Sequence, residues 1–159
     1  MKKSILIVVA MFISSLLIYS CGGGTGSENK DNSSAGTTST ANPDYDPNRG
    51  VGRFTTVDVG DHLDAAMAAE GKKVFDVKCS SCHKLTEEKL VGPGYKGVTD
   101  RRTPEWIMNF VTNTEEMIAK DTAAQNMLEV CLVKMPNQSL AETDARAVLE
   151  FFRKNDGKQ

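Results

Sequence analysis

Cys79-Ser80-Ser81-Cys82-His83 brings two thiols and an imidazole into five consecutive positions. Three chemistries use such a set. A structural zinc site needs four ligands, usually as two spaced pairs. Here the further candidates are only Cys131 and His62, with no second C-x-x-C and no H-x₃₋₅-H. A thiol redox pair of the thioredoxin kind belongs where a strand opens into a helix in a βαβ pattern. No strand-rich segment precedes Cys79; instead Leu63, Met67, Gly71, Val74 and Lys78 recur at helical spacing behind Asp61 as a candidate N-cap, so the motif ends a helix. The third chemistry is covalent haem attachment, for which C-x-x-C-H is the signature. Cysteines three apart reach both vinyl groups of one porphyrin as thioethers, and the adjacent histidine turns toward the iron. The helical context favours this third reading.

The N-terminus supplies the compartment. Lys2 and Lys3 precede a mostly apolar run from Ser4 to Tyr19 that stops at Ser20-Cys21-Gly22, short of the roughly 20 residues of a spanning helix. Ile18-Tyr19-Ser20-Cys21 resembles the lipobox of bacterial lipoproteins, although Tyr19 is bulkier than the usual residue. That resemblance implies cleavage before Cys21 and acylation of it, with anchoring at about 0.8 kcal/mol per buried CH₂. The following 27 residues, Gly22 to Asn48, are rich in Gly, Ser, Thr and Asn and carry too little apolar surface to offset the entropy of ordering. They read as a tether with an end-to-end distance of roughly 30 Å. The expected organisation is a signal peptide at 1–20, a lipid-anchored flexible linker at 21–48 and a folded domain at 49–159. Without the signal peptide the chain has 17 basic and 21 acidic residues, a net −4, which argues against nucleic acid as a partner.

From about Asp61 to Lys154 the chain resembles a class I cytochrome c. The likeness rests on Gly71, then Phe75, then Cys79-Ser80-Ser81-Cys82-His83, and on Val148 and Phe151 in the last helix. It implies that the first and last helices cross closely at Gly71. Leu90-Val91-Gly92-Pro93-Gly94 resembles the family's Gly-Pro turn, which implies that the Pro93 carbonyl accepts a hydrogen bond from the haem histidine and orients His83. Thr103-Pro104-Glu105-Trp106 opens a helix, with Thr as N-cap and Pro at its first position. Trp106, the single tryptophan, is a core residue that the resemblance also assigns to a haem propionate through its indole N–H. Arg101 and Arg102 are candidate propionate partners because guanidinium matches carboxylate in fork geometry.

Histidine leaves one face of the iron open, and the residue that fills it decides between electron transfer and small-molecule chemistry. Met108, Met117 and Met127 read as packing residues. Met135 stands in a loop before Pro136, ahead of a capping-box-like Ser139 to Glu142 spacing. Lys134-Met135-Pro136 also resembles the family's axial-ligand loop, 52 residues after His83. His62 reads as a solvated helix-start residue, and Cys131 as a small buried hydrophobe sharing a face with Met127, Leu128 and Leu132.

The resemblance thus implies an all-α domain of four to five helices around one haem c held by Cys79 and Cys82, with His83 and Met135 on the iron. It implies an electron carrier rather than an enzyme, at the bacterial cell envelope with its haem domain in the periplasm. The expected partners are a quinol-oxidising complex upstream and a terminal oxidase or periplasmic reductase, including those for nitrogen oxides, downstream. The competing class is a haem-based sensor or peroxidase-like protein with a displaceable sixth ligand.

Overall fold

The computed structural model describes residues 45–159; the expected signal peptide, acylated Cys21 and most of the linker lie outside the described residues. Six helices follow in chain order: α1 (Ala65–Lys78), α2 (Val98–Arg101), α3 (Pro104–Thr112), α4 (Thr114–Lys120), α5 (Thr122–Cys131) and α6 (Glu142–Asn155). The sequence suggested four to five; α2 is one additional turn of four residues. Among the described residues the only β-type pairing is an isolated bridge between Asp46 and Gly50, so the domain is all-α.

The core forms where α1 and α6 cross. Ala68, Gly71 and Phe75 are the buried residues of α1, one face at helical spacing. A Cβ placed on Gly71 would lie 1.9 Å from the Ala147 carbonyl oxygen and 2.9 Å from the Val148 nitrogen, so two helix backbones meet there with no room for a methyl group. Phe75 then packs on Phe151 and Phe152, with ring centroids 5.5 and 6.2 Å away. Val148 and Phe151 are both buried, as the crossing requires.

Local signals set most helix starts. Thr103 caps α3 by accepting from the Trp106 N–H, with Pro104 in the first turn. Asp121 caps α5 by accepting from the Ala124 N–H, and its second carboxylate oxygen accepts from the Tyr45 hydroxyl at 2.7 Å. Two expected caps move. The cap of α1 is Asp64, whose side chain accepts from the Met67 N–H, rather than Asp61. Helix α6 starts after Ala141 with no side-chain cap, and Ser139 instead adopts a left-handed φ of 50° in the preceding loop.

Residues 45–59, which precede the first helix, form a strap across α3 and α4. The fully buried Asn109 clamps it: Asn109 Oδ1 accepts from the Phe54 N–H, and Asn109 Nδ2 donates to the carbonyls of Arg49 and Phe54, all at 2.9 Å. The Val51 N–H donates to Met117 Sδ at 3.0 Å, and Thr103 Oγ1 donates to the Asn48 carbonyl. Tyr45 to Asn48, assigned to the linker by composition, therefore contact the folded unit.

Glu150 ties this strap to the helix crossing. Its buried carboxylate accepts from Arg146 Nη1 at 2.6 Å, Arg153 Nη1 at 2.8 Å and the Asp64 N–H at 2.9 Å, while Arg153 Nη1 also donates to the Val59 carbonyl. Burial by itself would raise this carboxyl, but the three donors outweigh it and hold it below the ordinary carboxylate range.

Two outcomes follow from these contacts. Gly71→Ala, which adds a methyl group against backbone, lowers the unfolding free energy by about 1–3 kcal/mol in chemical denaturation. Because the folded-state pKa of Glu150 is depressed, its contribution is present above the unfolded carboxylate pKa and is lost as pH falls through the folded value. Glu150→Gln should cost about 2 kcal/mol at neutral pH, and the difference from the parent chain should shrink in acid denaturation series.

Candidate functional site

Helix α1 ends on Lys78, and the Cys79 N–H and Ser80 N–H both donate to the Phe75 carbonyl, at 2.9 and 3.0 Å. The chain then turns tightly: the N–H groups of Cys82 and His83 donate to the Cys79 carbonyl. Both thiols are free; Cys79 is buried and Cys82 half-buried. Desolvation pushes the Cys79 thiol up to about 11, so as a free thiol it stays protonated at neutral pH and is a poor redox nucleophile.

His83 is buried with its Nδ1 2.9 Å from the Pro93 carbonyl oxygen. A carbonyl only accepts, so Nδ1 carries the proton and Nε2 keeps its lone pair. Burial lowers the imidazole pKa, and the Pro93 hydrogen bond opposes this in part. The turn is held against the motif by the N–H groups of Val91 and Gly92, which donate to the Cys82 carbonyl at 3.2 and 2.9 Å. Gly92 is indispensable to this fit, since a Cβ there would lie 2.2 Å from His83 Cε1. On another side the His83 ring packs on half-buried Tyr95, centroids 4.6 Å apart, and Tyr95 stacks on Phe152 at 4.2 Å. Burial raises the Tyr95 phenol, keeping it neutral.

His83 forms part of the wall of a cavity of about 360 Å³, within the roughly 300–1,000 Å³ typical of small-molecule and cofactor sites. Ile107, Val111, Ile118 and Leu128 make much of the lining apolar. Of the residues singled out from sequence, Cys82, His83, Pro93, Arg101, Arg102, Trp106 and Met135 all line this one cavity, while Cys79 is buried beside it in the hydrophobic core. His62 is exposed and is not among the lining residues. Met108 and Met117 are buried packing residues, as read from sequence. Met127 and Cys131 are half-buried and also line the cavity, which corrects their assignment to packing alone. Leu132 leaves that face altogether, because α5 ends there in the left-handed region and the side chain is exposed.

The polar groups of the lining are few. Trp106 is buried, stacks on Phe110 at 5.0 Å and lies under the Arg102 guanidinium at 4.6 Å. Its Nε1–H is a buried donor without a partner among the described residues, a costly state that calls for an acceptor at the site. Arg101 Nη1 donates to the Lys96 carbonyl. The turn bearing both arginines is fixed by Asp156, which accepts from the Gly97 N–H, Thr99 N–H and Thr99 Oγ1 at 2.6, 2.9 and 2.8 Å.

This set of groups fits a haem. An apolar cavity suits the macrocycle, an Nδ1-anchored imidazole offers Nε2 to a metal, two thiols adjoin, and an orphaned indole N–H beside a guanidinium suits a carboxylate side arm. Among the described residues, no three or more His, Cys, Asp or Glu side chains converge as a metal-holding group. Gly92 was read from sequence as part of the Gly-Pro turn, and its close approach to His83 is what the structure adds. Tyr95 and Asn109 escaped the sequence reading, because they act through contacts that no local period announces.

Comparison with known proteins agrees with this geometry. No curated protein matches the chain. Among solved structures, a cytochrome c from Rhodothermus marinus is 34% identical, with a TM-score of 0.64 over 66% of this chain and 90% of that one. An engineered cytochrome c from Rhodothermus marinus is 32% identical, with a TM-score of 0.66 over 70% of this chain and 98% of its own. The engineered protein bound to a carbene intermediate aligns with a TM-score of 0.63 at the same identity and coverage. Residues 68–156, more than half of the chain, match the cytochrome c family, and to that family, of electron-transfer haem proteins, this chain belongs.

Proposed function

We propose that the chain is a monohaem c-type cytochrome that carries single electrons between respiratory partners, its haem c bonded through Cys79 and Cys82 and its iron ligated by His83 and Met135. The observation that carries this reading is one apolar cavity bounded by both the Pro93-anchored His83 and the loop residue Met135. The haem supplies a one-electron iron couple. The protein supplies everything that keeps the couple reversible. The Pro93 carbonyl fixes the His83 tautomer and increases its basicity. Met135, a soft thioether, favours the reduced iron and blocks small ligands. Trp106 Nε1–H and the Arg102 guanidinium would hold a propionate, and the aliphatic lining keeps water from the metal.

In this reading Cys21 carries lipid, residues 22–48 connect the anchor to the domain, and the haem domain sits in the periplasm. No helix among the described residues is long and apolar enough to cross a membrane, and the lipid would serve instead. Confinement to the membrane surface raises the effective concentration of partners. These are a quinol-oxidising complex on the donor side and a terminal oxidase or a periplasmic reductase, including one for nitrogen oxides, on the acceptor side. A non-catalytic carrier is consistent with the family. A second reading, a displaceable sixth ligand serving a sensor or peroxidase-like role, draws on the carbene bound to the engineered relative and on the half-exposed loop position of Met135.

Visible spectra of the matured protein separate these readings. The oxidised protein should show the weak near-red band of iron–methionine sulfur ligation and should not bind CO when reduced. Met135→Ala should abolish that band, admit CO and lower the potential, on the order of 0.1 V within the roughly 0.8 V that axial ligands command. Met127→Leu should leave the band in place. A parent protein that is high-spin and binds CO would instead support the displaceable-ligand reading. Gly92→Ala should displace the His83 ring and reduce the yield of low-spin protein several-fold, read by the same spectra.

A further inference from the structure

The C-terminal end of α6 grips the segment that runs from the attachment motif to the cavity arginines. Asn155 Nδ2 donates to the Leu85 carbonyl at 3.1 Å, Lys96 Nζ donates to the Asn155 carbonyl at 2.7 Å, and Lys158 Nζ donates to Asp100 Oδ1 at 2.5 Å. Asp156, between Asn155 and Lys158, makes the densest set. Its Oδ1 accepts from the Gly97 N–H at 2.6 Å, and its Oδ2 accepts from the Thr99 N–H and Thr99 Oγ1 at 2.9 and 2.8 Å. The carboxylate is half-buried and lies outside the cavity wall, so any effect it has on the site must pass through another residue.

Those three bonds decide the shape of α2. A helix of four residues does not hold itself, because nucleation fixes several dihedrals for one hydrogen bond. The residue before it, Gly97, sits at φ 73° and makes no side-chain cap. Asp156 supplies the cap from another helix, 57 and 59 positions away. One turn later the chain reaches the arginines: the Arg101 N–H donates to the Gly97 carbonyl at 3.2 Å, and the Arg102 N–H to the Val98 carbonyl at 3.0 Å. Arg102 then carries its guanidinium over Trp106 at 4.6 Å, on the cavity wall.

Resting on the electron-carrier reading and its haem carboxylate under Arg102, we infer that Asp156 is a positioning residue for the iron couple: by capping α2 it holds the Arg102 guanidinium on that carboxylate and so raises the reduction potential. Ferric iron carries one more positive charge than ferrous iron. A bare carboxylate nearby therefore favours the ferric state, and a guanidinium held on it removes that bias. The sign of the effect separates this role from a direct one. Asp156 is itself an anion, and if it acted on the iron through space its removal would raise the potential. Acting through Arg102, its removal frees the guanidinium to turn to water, leaves the carboxylate unmatched and lowers the potential.

The test measures the midpoint potential of the full-length holoprotein by spectroelectrochemical titration, with the near-red band and CO exclusion as the check that the axial ligands are unchanged. Arg102→Gln should lower the potential. Asp156→Ala should lower it as well, raising the ferric-to-ferrous ratio at a fixed electrode potential several-fold, where tenfold corresponds to about 59 mV for one electron. Asp156→Asn removes the same charge but keeps one acceptor, so its fall should be smaller. Thr99→Val changes no charge and loses only the hydroxyl donor, and it should give a small fall in the same direction. In the Arg102→Gln background, Asp156→Ala should add no further fall. A potential that rises or stays put in Asp156→Ala, or an equal fall with and without Arg102, would overturn the proposal while Arg102→Gln alone still moves the potential. If Asp156→Ala yields no folded holoprotein, Asp156→Asn and Thr99→Val decide, and a rise or no change in both overturns it. An unchanged potential in Arg102→Gln overturns the carboxylate assignment and the proposal with it. Failure of the carrier reading is distinguishable, because it appears in the parent protein alone as CO binding or absent haem bands.

Discussion

The approach of α1 to α6 at Gly71, where a Cβ would fall 1.9 Å from a backbone oxygen, is the contact on which the remaining structure depends. It fixes the height at which α1 ends, and the attachment sequence begins at the next residue. It also brings Phe75, Phe151 and Phe152 into one aromatic group, to which Tyr95 adds by stacking on Phe152 and packing on the His83 ring. The position of the imidazole is thereby tied to the crossing through two rings. Glu150 joins the same helix to the Asp64 backbone and, through Arg153, to the Val59 carbonyl. A buried carboxylate is weak evidence for stability, but this one links three segments through directional hydrogen bonds.

The two walls of the cavity are built differently. His83 is gripped by the Pro93 carbonyl, by Gly92 lying too close for any side chain, and by Tyr95. Met135 sits in a loop flanked by left-handed residues, Leu132 at φ 60° and Ser139 at φ 50°. That loop is tied by short-range bonds, Ser139 N–H to Asn137 Oδ1 and Gln138 Nε2 to the Pro136 carbonyl. Such bonds constrain the shape of the loop more than its distance from the opposite wall. In the proposed reading the histidine side sets geometry, and the methionine side is where the ligand field adjusts.

How much of this was legible in the sequence follows from the range of the interactions. The all-α fold, the helix that ends at Cys79, the Thr103 cap and the Gly71 crossing are written in local spacing or in a short motif. The shift of the α1 cap from Asp61 to Asp64 is three residues, and the Asp64 N–H is claimed by Glu150, 86 positions away, which no local signal carries. The strap was hidden for the same reason. Its first four residues, Tyr45 to Asn48, fell within the expected tether, and it is held by Asn109 and by Met117, which read as a packing residue. Cys131 and Met127 were correctly placed on one helical face, but periodicity cannot say whether that face meets side chains or a cavity.

Trp106 shows why cofactor and fold belong together in this chain. The strap presses on it, with Gly50 so near that a Cβ there would lie 3.2 Å from the indole, and Phe110 covers one ring face. The indole is buried with its N–H, and among the described residues that donor has no acceptor. Leaving it unmet costs about 1–3 kcal/mol, a large share of the stability of a small domain. In the proposed reading that donor would meet a carboxylate under the Arg102 guanidinium, carried by a group whose flat apolar body suits the aliphatic lining of the adjoining cavity. In the proposed reading, haem completes the core as well as the redox site, and the free energy of attaching it is largely free energy of folding.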